Sequence, residues 1–232
     1  MREIIFDTET TGFDPQTGDR MVEIGCIEMV DRVETGTSFH CYYNPQRLMP
    51  KAAEEVHGLS DVFLSDKMLF AHGADELLEF LGDANLVAHN AQFDFKFLNA
   101  ELVLCGKTPI SQFRMIDTLA IAKVKHPGAK LSLDALCSRY GIDRSHRVKH
   151  GALLDAELLT QLYIELTGGR QIGLGLADDK ISTTTNQRQI SGKEAALRRQ
   201  FIAPRPHSAT AEELTRHAAF MENIKDPLWA DI

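Results

Sequence analysis

Four carboxylates and one imidazole mark out the chemistry of this chain. In HGALLD, His150 to Asp155, an imidazole and a carboxylate stand five residues apart. On one helix that spacing would point the two side chains about 140° apart. His150 is therefore assigned to a loop, Gly151 to the break, and Asp155 to the first turns of a helix. A carboxylate held on a helix beside an imidazole on a loop suits a metal ligand paired with a general base. The plainer alternative is a solvated loop histidine beside an aspartate that favours the helix dipole. In EIIFDTE, residues 3 to 9, an apolar run ends in acids. Strand side chains alternate, so Asp7 and Glu9 share a face and Thr8 points to the other. Two carboxylates so placed repel unless a cation lies between them, and hard oxygen ligands suit Mg²⁺ or Mn²⁺ better than zinc; a strand ending in a solvated polar turn is the alternative. A third group, HNAQFD at His89 to Asp94, sets Asp94 in the opening turn of a helix just after a short strand, where α/β proteins place ligands. There the alternative is that Asn90 only caps the helix.

Elements able to position these groups can be read in the pattern. After the first strand, 20–30 and 38–43 read as two more strands joined by the turn-prone DRVETGT, an antiparallel meander. Helices are expected over 52–56, 74–81, 93–105, 117–125 and 131–140, with a short strand over 86–88. Leu154, Leu158, Leu162 and Leu166 recur at four-residue spacing, which predicts an amphipathic helix after Gly151. A meander followed by strand and helix alternation is an α/β layered fold with a mixed sheet.

Composition narrows the partners. At 232 residues with 44% hydrophobic content, the chain can build one sizeable core plus an appendage. Residues 171 to 232 balance 8 basic against 8 acidic side chains, so the net charge of −8 lies wholly in the first 170 residues. An acidic body binds duplex DNA poorly by counterion release, so a nucleic-acid substrate would have to be brought in by metal ions or a partner. Cys26, Cys41, Cys105 and Cys137 form no C-x-x-C pair, and they are expected to be reduced and buried. No signal segment or membrane-length apolar run is evident, which places the chain in the cytoplasm as an expectation.

In order and spacing, DTETTG (Asp7 to Gly12), HNAQFD and HGALLD resemble the three motifs of the DEDDh exonuclease family, whose fold is ribonuclease H-like. VHGL at Val56 to Leu59, SLDALC at Ser132 to Cys137 and LTGG before residue 170 are similar to the proofreading subunits of bacterial replicative polymerases. The resemblance implies a mixed five-stranded sheet flanked by helices, and a 3′-to-5′ exonuclease releasing 5′-mononucleotides. It implies two Mg²⁺ or Mn²⁺ ions, with Asp7 bridging both, Glu9 and Asp155 holding the nucleophile's ion and Asp94 orienting the second through water. His150 would take the proton from the attacking water. Thr10, Gly12 and Phe13 would line the terminal nucleotide, with Val56 and His57 against its base and Asn90 and Phe93 nearby. A mismatched end frays more readily, so selectivity can come from melting. An RNA-trimming exonuclease would use the same acids, and a catalytically silent adaptor is a third reading, disfavoured because all five catalytic positions are filled.

Beyond residue 170 the composition turns polar and small. Three regions are expected: an exonuclease domain over 1–170, a clamp-binding motif and flexible linker over 171–199, and a polymerase-binding tail over 200–232. Gln171, Leu174 and Leu176, within residues 171–176, resemble a sliding-clamp motif. In the tail Phe201, Ile202, Leu214, Phe220, Met221, Ile224, Leu228 and Trp229 are too few for a core of their own, so they are expected to pack on the polymerase's catalytic (alpha) subunit. A small third core subunit is left open.

Overall fold

The computed structural model describes residues 1–145, 149–169 and 208–223. Its centre is a five-stranded mixed sheet in the order β3-β2-β1-β4-β5. The strands are β1 (Arg2–Thr10), β2 (Met21–Val30), β3 (Val33–Tyr42), β4 (Asn85–Ala88) and β5 (Met115–Asp117). β1 runs antiparallel to β2 and parallel to β4, and β4 is parallel to β5. The helices are α1 (Lys51–His57), α2 (Asp61–Leu64), α3 (Phe70–Leu81), α4 (Ala91–Leu104), α5 (Thr118–Lys125), α6 (Leu133–Tyr140), α7 (Ala152–Leu166) and α8 (Ala211–Met221).

Alternation along β1 divides the interior into two cores. Ile4 and Phe6 face a cluster built with Leu77, Phe95 and Leu98 of α3 and α4. Ile5 faces the other side, against Leu136 of α6 and Leu159 and Leu162 of α7. Burying a side chain of this size stabilises the fold by about 1.5–3 kcal/mol, so both layers hold the central strand in place.

The expected meander is present, but its turn is tighter than DRVETGT suggested. Asp31 and Arg32, at φ 50° and 66°, are the whole turn, and β3 starts at Val33 rather than Ser38. Two residues with positive φ make a type I′ turn, whose twist matches the flanking strands. Gly36, at φ 83°, lies in the stretch where the register shifts, so the Gly read as a turn residue marks a bulge instead. β5 and α2 are also additions; runs of three and four residues carry no readable period.

Helix α7 departs from a two-faced reading. Its buried residues run almost all the way round, leaving Glu157, Gln161 and Glu165 as a narrow exposed stripe. The reason is position: one side lies on β1 and β2 and the other meets α5 and α6. Cys26 and Cys137 are buried and Cys41 and Cys105 only half-buried, and none of the four is in a disulfide. No described helix is long and apolar enough to cross a membrane. Residues Asp178–Ile232 form a unit separate from Met1–Ala177. Within that unit, α8 opens with a Thr210–Glu213 capping box and leaves Leu214 and Phe220 exposed.

Candidate active site

The C-terminal end of β1 carries Asp7 and Glu9, and two helices deliver the remaining acids. Asp94 lies in the first turn of α4 and Asp155 in the first turn of α7, both 3% exposed. Burial is the largest reason the Asp7 carboxyl is held well above its ordinary range; Asp94, Glu9, Asp155 and Glu23 add to it in that order. Burial likewise pushes Asp94 up to about 7, against the Thr8 hydroxyl, which donates to its Oδ1 at 2.7 Å. The alternation that separates Thr8 from Asp7 is what brings it to α4. Nothing in the sequence marks Thr8 for this role, since hydroxyls at strand positions are commonplace.

His150 sits in the loop before α7, as its spacing required. Its Nδ1 lies 3.2 Å from Asp155 Oδ2, and its backbone N–H donates to the Val56 carbonyl at 3.3 Å. The loop is thus pinned to the end of α1 while the imidazole remains about half exposed. Ligand atoms of Glu9, His150 and Asp155 lie within 4.8 Å of one another, close enough to hold one cation. Neighbouring carboxylates that hold the Asp7 carboxyl up in this way are a donor set fit for a hard divalent ion, which would remove the repulsion.

Beside the acids lies a cleft of about 570 Å³ lined by Glu9, Thr10, Gly12, Phe13, Val56, His57 and Phe93 among others. Six of the seven residues expected to bind substrate therefore line one cleft. Asp19 shapes its floor by accepting from Thr11 Oγ1 and the Asp14 amide, both at 3.2 Å. A Cβ on Gly12 would meet the Asp19 carboxylate at 2.3 Å, so any larger residue there would have to displace Asp19 from these bonds. His57 is 6% exposed and neutral, since burial lowers its pKa. Its Nδ1 accepts from the Leu59 amide, which leaves the proton on Nε2, an atom without a hydrogen-bond partner among the described residues. Asn90 is the exception. It holds the N-cap position of α4 at φ 64° but makes no side-chain cap; Asp117 caps there instead, accepting from the Asn90, Ala91 and Leu119 amides. His89 is structural, bridging Thr118 Oγ1 and the Leu131 carbonyl. The clamp-motif residues Gln171, Leu174 and Leu176 lie outside the described residues, as do Phe201, Ile202, Ile224, Leu228 and Trp229 of the tail.

The Exonuclease family model matches residues 4–163. The chain is 48% identical over 230 residues to a protein of Rickettsia felis named DNA polymerase III subunit epsilon, covering 97% of each. It is 40% identical over 231 residues to the Escherichia coli protein of the same name, covering 97% of this chain and 93% of that one. Among solved structures, the nuclease domain of 3'hExo, a DEDDh family member bound to rAMP, superposes with a TM-score of 0.63 at 16% identity, over 72% of this chain and 91% of the other. Exonuclease X in complex with 5′ overhanging duplex DNA gives 0.57 at 24% identity, over 71% and 90%. These two likenesses concern the fold.

Proposed function

Because the chain belongs to the Exonuclease family, we propose that it is the 3′-to-5′ proofreading exonuclease, or epsilon, subunit of a bacterial replicative DNA polymerase, acting on single-stranded or frayed DNA 3′ ends. The observation that carries this reading is the convergence of Asp7, Glu9, Asp94, Asp155 and His150 at one end of β1, beside a cleft of about 570 Å³. The relatives named for the epsilon subunit at 48% and 40% identity support the replicative context.

Asp7, Glu9, Asp94 and Asp155 would hold two Mg²⁺ or Mn²⁺ ions, which when bound supply Lewis-acid stabilisation of the phosphoryl transfer. The chain's own residues do the rest. Thr8 keeps one oxygen of Asp94 occupied at 2.7 Å and so fixes which way its carboxylate faces. His150, on a pinned loop, takes a proton from the attacking water and returns it to solvent through its exposed edge. Thr10, Gly12, Phe13, Val56, His57 and Phe93 receive the terminal nucleotide, and Asn90 heads α4, the helix that carries Phe93. A mismatched terminal nucleotide is easier to unpair, so selectivity would come from melting.

Gln171, Leu174 and Leu176 would bind the sliding clamp, and the segment carrying α8 would bind the alpha subunit. To test the core reading, purified protein with Mn²⁺ is given 3′-labelled single-stranded DNA and RNA. Release of labelled 5′-mononucleotide from DNA, lost in Asp7→Ala, is the expected result; trimming of RNA alone would point to an RNA-processing enzyme, and no release from either would sink the proposal.

A further inference from the structure

A fifth acid lies beside the four, and the mechanism above leaves it unused. Glu23 on β2 is 2% exposed, and its Cα pairs with Glu9 on β1 and with Tyr42 on β3. Next along the same face, Gly25 pairs with Asp7 and with His40. Like charges directly opposite each other on neighbouring strands repel, so a buried acid opposite Glu9 needs compensation. His40 supplies it, with Nε2 2.7 Å from Glu23 Oε1. Tyr42 packs edge-on against His40, ring centroids 4.7 Å apart, and against Phe63 of α2 at 5.0 Å. The Tyr42 hydroxyl is pushed up to about 12, first by burial and then by the Glu23 charge, so it stays a donor beside the carboxylate.

What Glu23 faces is the start of α7. Gly151, the N-cap, makes no side-chain cap, and Glu23 Oε1 lies 4.0 Å from where a Cβ of Gly151 would stand. Two positions along β2, a Cβ on Gly25 would come within 2.3 Å of the Leu153 backbone. The first turn of α7 thus packs closely on β2 at Gly25, with the Glu23 carboxylate beside its N-cap. Gly25 yields the room, and Glu23 places a negative charge at the positive end of the helix. That turn bears Asp155, and the residue before its cap is His150.

We infer that Glu23, held by His40, is a positioning residue for this site: it seats the first turn of α7 and so sets the spacing of His150 and Asp155 from Glu9. This rests on the function proposed above. It touches no reacting atom. A shift of about 1 Å in a positioned group can cost on the order of 10²-fold in rate, so a loosened seat is felt in kcat while the nucleotide cleft, built from other elements, still binds.

The test compares wild type with Glu23→Ala, Glu23→Gln and His40→Ala in three measurements: kcat and KM on a single-stranded oligonucleotide with Mn²⁺, Mn²⁺ affinity by electron paramagnetic resonance without DNA, and melting temperature. Glu23→Ala should lower kcat about 10-fold with KM held within about twofold, and should weaken Mn²⁺ binding. Glu23→Gln, which keeps the shape and an acceptor for His40, should recover to within about threefold of wild type. His40→Ala acts from the exposed side and gives the same direction should Glu23→Ala not fold. An unchanged kcat, or a loss that glutamine fails to rescue and that follows the fall in melting temperature, would overturn the inference. A wild type that releases no nucleotide would overturn the proposed function, and the Mn²⁺ affinities then decide this point alone, equal values in wild type and Glu23→Ala counting against it.

Discussion

Asp7 and Asp94 hold their protons more tightly in the folded chain than an unfolded one would, because burial and neighbouring acids disfavour their charged forms. Their contribution to metal-free stability is therefore complete below the ordinary carboxylate range and is lost as pH rises through about 7 for Asp94. His57 and His89, whose pKa values burial lowers, tilt the curve the opposite way, so the effect is read as a difference. In EDTA, the melting temperature of Asp7→Asn relative to wild type should rise between pH 5 and pH 8, and Mn²⁺ should stabilise wild type only; a flat difference would mean that the acids do not repel. His150→Ala should lower the rate about 10²–10⁴-fold, the usual share of a general base, and flatten the acidic limb of the pH profile. A variant that keeps the wild-type profile would make the imidazole structural. These five positions were legible as a set, since each motif alone allows a plainer reading and only the three in order resemble the family's. Thr8 and Glu23 were not, because their roles depend on which strand or helix comes to lie opposite.

At the scale of elements, the site depends on α4 and α7 keeping their heads against the sheet. Arg20 and Glu101 tie α4 to the start of β2 through two 2.7 Å contacts, and Glu101 also accepts from the Met21 amide at 3.1 Å. Glu101 is 2% exposed. Glu101→Ala would leave the Arg20 guanidinium without its partner and should destabilise the fold by about 2–3 kcal/mol, somewhat under the cost of breaking a fully buried pair because Arg20 is part-exposed. Chemical denaturation measures this, and a loss under about 1 kcal/mol would mark the pair as a surface one. Long elements such as α4 and α7 were legible because their apolar positions repeat over several turns. The two-residue hairpin was not, since its positive φ angles fall on Asp31 and Arg32, where glycine would have signalled them.

For the molecule as a whole, an acidic nuclease unit has little electrostatic hold on DNA, and tethering would supply it. Truncation after Gly192 should abolish co-purification with the polymerase alpha subunit while leaving hydrolysis of free single-stranded DNA intact; a truncated chain that still co-purifies would refute the tether. Replacing Gln171, Leu174 and Leu176 together with alanine should weaken sliding-clamp binding in a pull-down and leave mononucleotide release unchanged. Within α8, Leu214 and Phe220 are exposed and the capping box is formed, so this helix presents apolar side chains that nothing in its own described surroundings covers.

The amino-acid order by itself determined the family, the mixed α/β fold and the acids that converge, because metal-binding chemistry needs particular residue types at spacings that strand and helix periods impose. It also determined that the net negative charge lies in the first 170 residues, the remainder being balanced. Tertiary structure alone decided which side chains meet across elements: Thr8 with Asp94, Asp117 capping the helix that Asn90 opens, and Glu23 with His40 beneath the head of α7. Such meetings join residues tens of positions apart. They follow from strand order and helix docking, for which no local pattern in the chain carries a signal.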